Sequence, residues 1–140
     1  MSDRILTLSL AAAMTVSSVA AQPFTNPRRQ TNVASQERCA DEAARSFRLS
    51  GWKTEDGSTY KSHYNRTLSA CLIEIEGRSS YGVTESVSDA VENRTYAIYM
   101  RVVDGIDPMI CQLIPSENEK RDCATEEEYK AFAATLMEHH

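Results

Sequence analysis

Glycine is scarce in this chain, with five residues in 140, and none belongs to a phosphate-cradling loop or to the Gly-x-Ser-x-Gly turn that presents a nucleophilic serine. The usual parts of P-loop nucleotide binding and of α/β-hydrolase chemistry are therefore missing. There is no close cysteine pair either. The shortest interval, Cys111 to Cys123, leaves eleven residues between them, too many for the Cys-x2-4-Cys arm of a structural zinc site. Positive charge is not in excess: residues 22–66 carry eight Lys/Arg against five Asp/Glu, and residues 67–140 carry six against fourteen, within a formal net charge of −5. A phosphate backbone finds no electrostatic footprint on such a surface, which argues against a nucleic-acid partner. Beyond residue 21 no apolar run approaches the roughly 20 residues that cross a bilayer.

What is present at the amino end is a charged start, Met1 to Arg4, then an apolar stretch from Ile5 to Val19, then Ala20 and Ala21. That order is the signature of a secretory signal, so residues 1–21 read as a cleaved signal peptide. Thr7, Ser9, Thr15, Ser17 and Ser18 dilute the stretch and Pro23 closes it, which separates it from a transmembrane helix. Its alanine-rich core points to a bacterial source and to a periplasmic or secreted product. About 119 residues remain, enough for one domain and one core.

All four cysteines, Cys39, Cys71, Cys111 and Cys123, fall in the mature part. An even count in an exported domain reads as a disulfide framework. The expected pairing is Cys39–Cys71 and Cys111–Cys123, because each then joins neighbouring elements and the two do not cross. On the chain-entropy model the shorter loop contributes about 3 kcal/mol and the longer about 3 to 4.

Residues 22–34 contain Pro23 and Pro27 and no apolar period, the pattern of a flexible leader. From Ser35 the spacing of Cys39, Ala40, Ala43, Ala44 and Phe47 predicts a helix capped by Ser35 and ended by Gly51. Residues 60–65 fit neither strand nor helix firmly. Leu68 to Glu76 alternates, with Cys71, Ile73 and Ile75 on one side and Leu72, Glu74 and Glu76 on the other, which predicts a half-buried strand. Gly77 and Gly82 are expected to bracket a loop. A serine-rich strand carrying Val83, Val87 and Val91 follows, then strands over Thr95 to Val103 and Met109 to Ile114. Thr125 and Glu128 form a capping-box pattern ahead of an apolar stripe of Tyr129, Phe132, Ala133, Leu136 and Met137. The expected fold is α+β: an antiparallel sheet of about four strands with an N-terminal and a C-terminal helix, in two layers, with two disulfides, forming a single stapled domain over residues 35–140.

The segment from Tyr60 to Cys71, with His63-Tyr64-Asn65 and Leu68 at its centre, resembles a block found in a family of small exported bacterial proteins of unknown function. Asp89 to Ala97, and Cys111 with Cys123 ahead of the acidic start of the last helix, resemble two further shared blocks. Here Asn93 stands where a turn glycine is expected, and Ala70 where lysine is common. The resemblance implies an exported, disulfide-bearing domain and brings no activity with it.

Candidate functional residues are few. His63 is the sole histidine inside the predicted fold and, with a carboxylate partner, has the chemistry of a general base; ordering the entry to a strand is the simpler role. Glu74 and Glu76 share a strand face, and with Glu85 or Asp89 from a neighbouring strand they would supply a carboxylate pair or calcium ligands, although exposed strands carry such charges routinely. His139 and His140 end the chain. Tyr60, Tyr64, Tyr81, Tyr96, Tyr99 and Trp52 hold most of the aromatic surface, and an aromatic and acidic open sheet face is the expected working surface. His63, Tyr64, Asn65 and Tyr99 are the candidate binding residues. No cofactor or metal is expected. The reading that follows is a non-enzymatic binding or accessory module, an inhibitor among the options, recognising a protein or cell-envelope ligand; the alternative is a small hydrolase built on His63 and an acidic partner.

Overall fold

Strand periodicity between residues 59 and 122 resolves into one antiparallel sheet of six strands in sequence order, β1 (Thr59–Asn65), β2 (Ala70–Ser79), β3 (Gly82–Asp89), β4 (Thr95–Val102), β5 (Ile110–Ser116) and β6 (Glu119–Asp122). Helix α1 (Pro27–Leu49) precedes the sheet and α2 (Glu126–Met137) follows it. The computed structural model describes residues 27–105 and 107–138. The expected signal peptide and the His139–His140 pair lie outside those residues.

The sheet has two strands more than expected, and both additions have a physical cause. β1 occupies the unassigned stretch: Tyr60, Ser62 and Tyr64 alternate with Lys61, His63 and Asn65, so both sides are polar or amphipathic and no apolar period stands out. β6 is polar and exposed along its whole length. It is held by pairing with β5 and by the Cys111–Cys123 bond. β2 also runs through Gly77 instead of breaking there, because the indole of Trp52 lies on that glycine: a Cβ would stand 2.4 Å from Trp52 Cε2. Val91 falls outside β3, in the turn, and is 65% exposed. The first helix starts at Pro27 rather than after Ser35, so residues 27–34 of the expected leader are helical; proline is well suited to a first helical position.

Both disulfides are those expected, Cys39–Cys71 tying α1 to β2 and Cys111–Cys123 closing the last hairpin. The layering differs from expectation. Successive residues of a strand face opposite sides, and in β2 Leu72 packs in a cluster with Tyr129 and Ala133 of α2, whereas Ile73 and Ile75 pack with Ala43 and Phe47 of α1. The helices thus cover opposite faces, giving three layers. The larger core lies under α2 and draws on Val87, Ala97, Tyr99 and Leu113 from three further strands. The Val87/Ser88 irregularity in the β3–β4 register lets Tyr96 join Ala97 in that core instead of siding with Ile98.

Side chains secure the outer edge of β1. The Gln36 amide of α1 accepts from Tyr64 N–H at 2.8 Å and donates to the Ser62 carbonyl at 3.4 Å, occupying backbone groups that an unpaired edge strand would offer to another chain. Asn65 donates to the Leu136 carbonyl near the end of α2 at 2.9 Å and accepts from Leu68 N–H at 3.0 Å. One buried amide therefore holds both the β1–β2 turn and the last turn of α2.

Candidate functional site

Register brings the acidic residues of the middle strands together. On the α2 face Glu76 stands directly opposite Glu85, and Glu74 opposite Lys61 on β1. Like charges facing each other across a strand pair oppose folding, so the arrangement needs compensation or a use. Compensation is partial. Arg78 pairs with Glu76, Lys130 of α2 pairs with Glu126, and Lys61 reaches Glu74 at 3.6 Å. Glu85 forms no ion pair or hydrogen bond with a described residue. Burial raises its carboxyl above the usual range; Lys130 opposes the shift, and Glu126, Glu76 and Glu74 add to it.

These residues line a groove between α2 and the β1–β3 part of the sheet. One stretch, of about 240 Å³, is bounded by Thr59, Lys61, Glu74, Glu76, Glu85 and Lys130. The adjoining stretch, of about 540 Å³, is bounded by Gln36, Lys61, His63, Glu74, Lys130 and Met137 among others. Lys61, Glu74 and Lys130 belong to both, so the two are continuous.

Tyr129, beside Lys130 on α2, lines neither stretch of the groove and packs in the core. Its ring lies 5.8 Å from that of Tyr99, the direct neighbour of Glu85 across the β3–β4 pair, and its side chain is fully buried. Its Oη has no hydrogen-bond partner, which is true of no other buried side-chain polar atom among the described residues. Burial pushes its hydroxyl pKa up, and the charges of Glu74 and Glu85 act in the same direction. A buried hydroxyl without a partner costs about 1–3 kcal/mol. The sequence hides this residue well, since Tyr129 falls in the apolar stripe of α2 and reads as core. Lys130 was legible only as a helix neighbour four residues after Glu126.

No family model, curated protein or solved structure matches the chain.

The four expected binding residues do not form one cluster. His63 is 6% exposed and contributes to the groove wall. Asn65 is buried in the hydrogen bonds that hold α2. Tyr64 lies on the opposite face, in register with Cys71. Tyr99 is 3% exposed under Tyr129. Nor do the aromatics make an open patch: Tyr60 stacks on Phe47 at 4.7 Å, Tyr96 is buried beneath the Arg94 guanidinium, Trp52 packs into the α1 core, and Tyr81 alone of the group is largely exposed, in the β2–β3 turn. The half of the sheet that α1 leaves uncovered is aliphatic and hydroxylated, with Ser86 and Ser88 of β3 beside Ile98 and Met100 of β4. A second hollow of about 630 Å³ lies between that surface and α1, but no buried polar atom there lacks a partner. Asp89 is not a groove carboxylate: its Oδ1 accepts from Val91 N–H and Glu92 N–H at 2.8 and 2.9 Å and shapes the β3–β4 turn, in which Asn93 takes the left-handed φ of 59°. That conformation explains why glycine is expected at position 93.

Among the described residues no group of three or more His, Cys, Asp or Glu side chains is arranged to hold a metal ion. None of the described helices is long and apolar enough to cross a membrane.

Proposed function

We propose that this chain is an exported, non-enzymatic binding module whose ligand sits in the groove between β1–β3 and α2. The observation that carries the reading is the acidic groove itself, where Glu76 faces Glu85 across the β2–β3 pair and Glu85 has no ion pair or hydrogen bond with a described residue. Two disulfides fit an oxidising compartment, and the shared blocks that resemble small exported bacterial proteins point the same way.

The hydrolase alternative gains one argument, that His63 and Glu74 line the same hollow. It loses more. His63 is nearly covered, and the hydroxyl residues on either side of it, Ser62 and Tyr64, alternate to the other sheet face.

A screen of small soluble fragments followed by protein-observed NMR tests the proposal. Bound fragments are expected to shift the amides of Lys61, His63, Glu74 and Lys130 without being consumed. A screen in which those amides never move overturns the binding reading, and turnover abolished by His63→Ala in a still-folded protein replaces it with the hydrolase.

A further inference from the structure

We infer that the sheet face left open by α1, over β3, β4 and β5, pairs with the same face of a second copy of this chain, the two copies related by a two-fold axis running along β4. This surface is the reverse side of the sheet from the groove, and the inference goes beyond the binding reading above.

Composition is the first argument. An antiparallel sheet with one side in water ordinarily alternates apolar and polar residues. β4 is apolar on both sides: Tyr96, Ala97 and Tyr99 lie in the α2 core, and Ile98, Met100 and Val102 point the other way. The charged residues of the three strands, Glu85, Asp89 and Arg101, all stand on the α2 side. The face that α1 leaves open is thus the one without charge, in a chain of which 25% is Asp, Glu, Lys or Arg. Depletion of charge is the compositional mark of an interface centre. α1 packs chiefly on β1 and β2, and Ile98, Met100 and Ile110 remain only half-buried.

Register selects the occupant. Thr84, Met100 and Ile110 form one row across the three strands, and Ser86, Ile98 and Gln112 form the next. In each row β3 contributes a short hydroxyl side chain and β5 a long one. A two-fold axis along β4 lays β3 of each copy over β5 of the other, so that Thr84 meets Ile110, Ser86 meets Gln112, and Ile98 and Met100 meet their own counterparts at the axis. Short side chains then face long ones at the roughly 10 Å spacing of stacked sheets, as a self-complementary contact requires. An axis across the strands would set short on short and long on long. The hollow of about 630 Å³ between α1 and β3 ends at Val91 and Asn93. The β5–β6 hairpin lies at that same end of the sheet, where Arg94 pairs with Glu117, so the hairpin of the second copy enters the hollow.

Area sets the strength. Strands about 4.8 Å apart, with about 3.4 Å per residue, give the three-strand face a flat footprint on the order of 350 Å². Side-chain relief, with the exposed Val91 and Val102 at the margins, brings two such faces near the total of about 1,000 Å² at which specific contacts begin. The dimer is therefore a weak one. Residues 22–26, the remainder of the expected mature amino end, extend at most about 18 Å and are too short to cover all three strands instead. α2 and its groove lie on the outer side of each sheet, so pairing leaves both grooves open and facing away from each other.

The test is sedimentation of the intact, oxidised protein over a dilution series from ~1 mM to ~5 μM, the range in which a contact of this size dissociates. The average mass is expected to approach that of two chains at the top of the series and of one at the bottom. Met100→Lys, Ser86→Lys and Gln112→Glu are each expected to weaken association roughly tenfold or more, because each carries an unpaired charge into the contact. Ser86→Lys and Gln112→Glu combined are expected to recover it, since the two positions meet across the axis and stand two strands apart within one chain. None of the three side chains is buried in the single copy, so melting temperatures at the lowest concentration should stay near that of the parent, and the dilution of the parent protein needs no variant. A protein that remains a single chain at ~1 mM overturns the proposal. So does a dimer indifferent to all three single variants, or a double variant that associates no better than the singles. Ile98 and Met100 methyl groups shielded from a soluble nitroxide in the single chain would mean that another part of the chain covers the face, and the proposal falls. The groove is read separately from the shifts of Lys61 and Lys130, so failure here leaves the binding reading standing.

Discussion

Glu85 shows at the scale of one residue how the site opposes the fold. Desolvation, with Glu126, Glu76 and Glu74 behind it, holds its carboxyl above the ordinary value, and Lys130 compensates in part. A carboxyl whose folded pKa exceeds its unfolded one binds more protons in the native state. Its favourable contribution is complete below the unfolded value of about 4.3 and is lost as pH rises through the raised folded value. At neutral pH the ionised group is therefore a liability. Glu85→Gln is expected to raise stability at pH 7 by less than about 1 kcal/mol, a small figure because the side chain is partly exposed and screened. The gain should vanish below about pH 4.3. Urea unfolding of both proteins across pH 3 to 8 checks it; a variant that is less stable at neutral pH would mean that Glu85 has a structural partner after all. The meeting of Glu76 and Glu85 was legible, since alternation in adjacent strands supplies two of its coordinates and only the register was lacking. Tyr129 was not legible. Nothing in a helical apolar stripe tells which of its members leaves a buried hydroxyl without a partner.

At the scale of elements, α2 is held at both ends by residues of different legibility. Its start was readable from Thr125 and Glu128: Thr125 Oγ1 accepts from Glu128 N–H at 3.2 Å, and the Glu128 carboxylate accepts from Ala124 N–H at 3.0 Å. Its end is fixed by Asn65, 71 positions away from Leu136 in sequence, and no local pattern announces that contact. β1 and β6 escaped for a related reason, since a strand held by its neighbours needs no apolar period of its own. Thr125→Ala is expected to cost about 1 kcal/mol, the usual loss of an N-cap. Asn65→Ala removes two hydrogen bonds, one of them buried against the helix end, and should cost about 2 kcal/mol. Denaturation midpoints measure both, and hydrogen exchange in residues 134–138 locates the second. If Asn65→Ala leaves stability and exchange unchanged, its amide is free for recognition, as the sequence suggested, and is not the clasp of α2.

At the scale of the whole molecule, the two disulfides guard separate halves. The sheet divides its apolar residues between two clusters, Ile73 and Ile75 facing α1, and Leu72, Val87, Tyr99 and Leu113 facing α2. The first cluster is small and its helix packs chiefly on β1 and β2. Cys39–Cys71 is the covalent tie across that interface, and Cys111–Cys123 lies on the other side, inside the α2 core. Replacing Cys39 and Cys71 together by alanine frees a loop whose closure is worth about 3 to 4 kcal/mol on the chain-entropy model. The loss should be felt unevenly, because structures open in cooperative units that follow their packing. Residues 32–49 are expected to lose amide protection first. β3 to β5 and α2 should retain theirs under conditions where the parent protein is fully protected. The groove would keep its Glu85 and Lys130 wall and lose the Gln36 clasp on the β1 edge, so a groove ligand should still bind, more weakly. Hydrogen exchange read by mass spectrometry decides between this and the alternative: if α1 and the α2 core lose protection together, the two faces form one cooperative unit and the disulfide holds the fold as a whole.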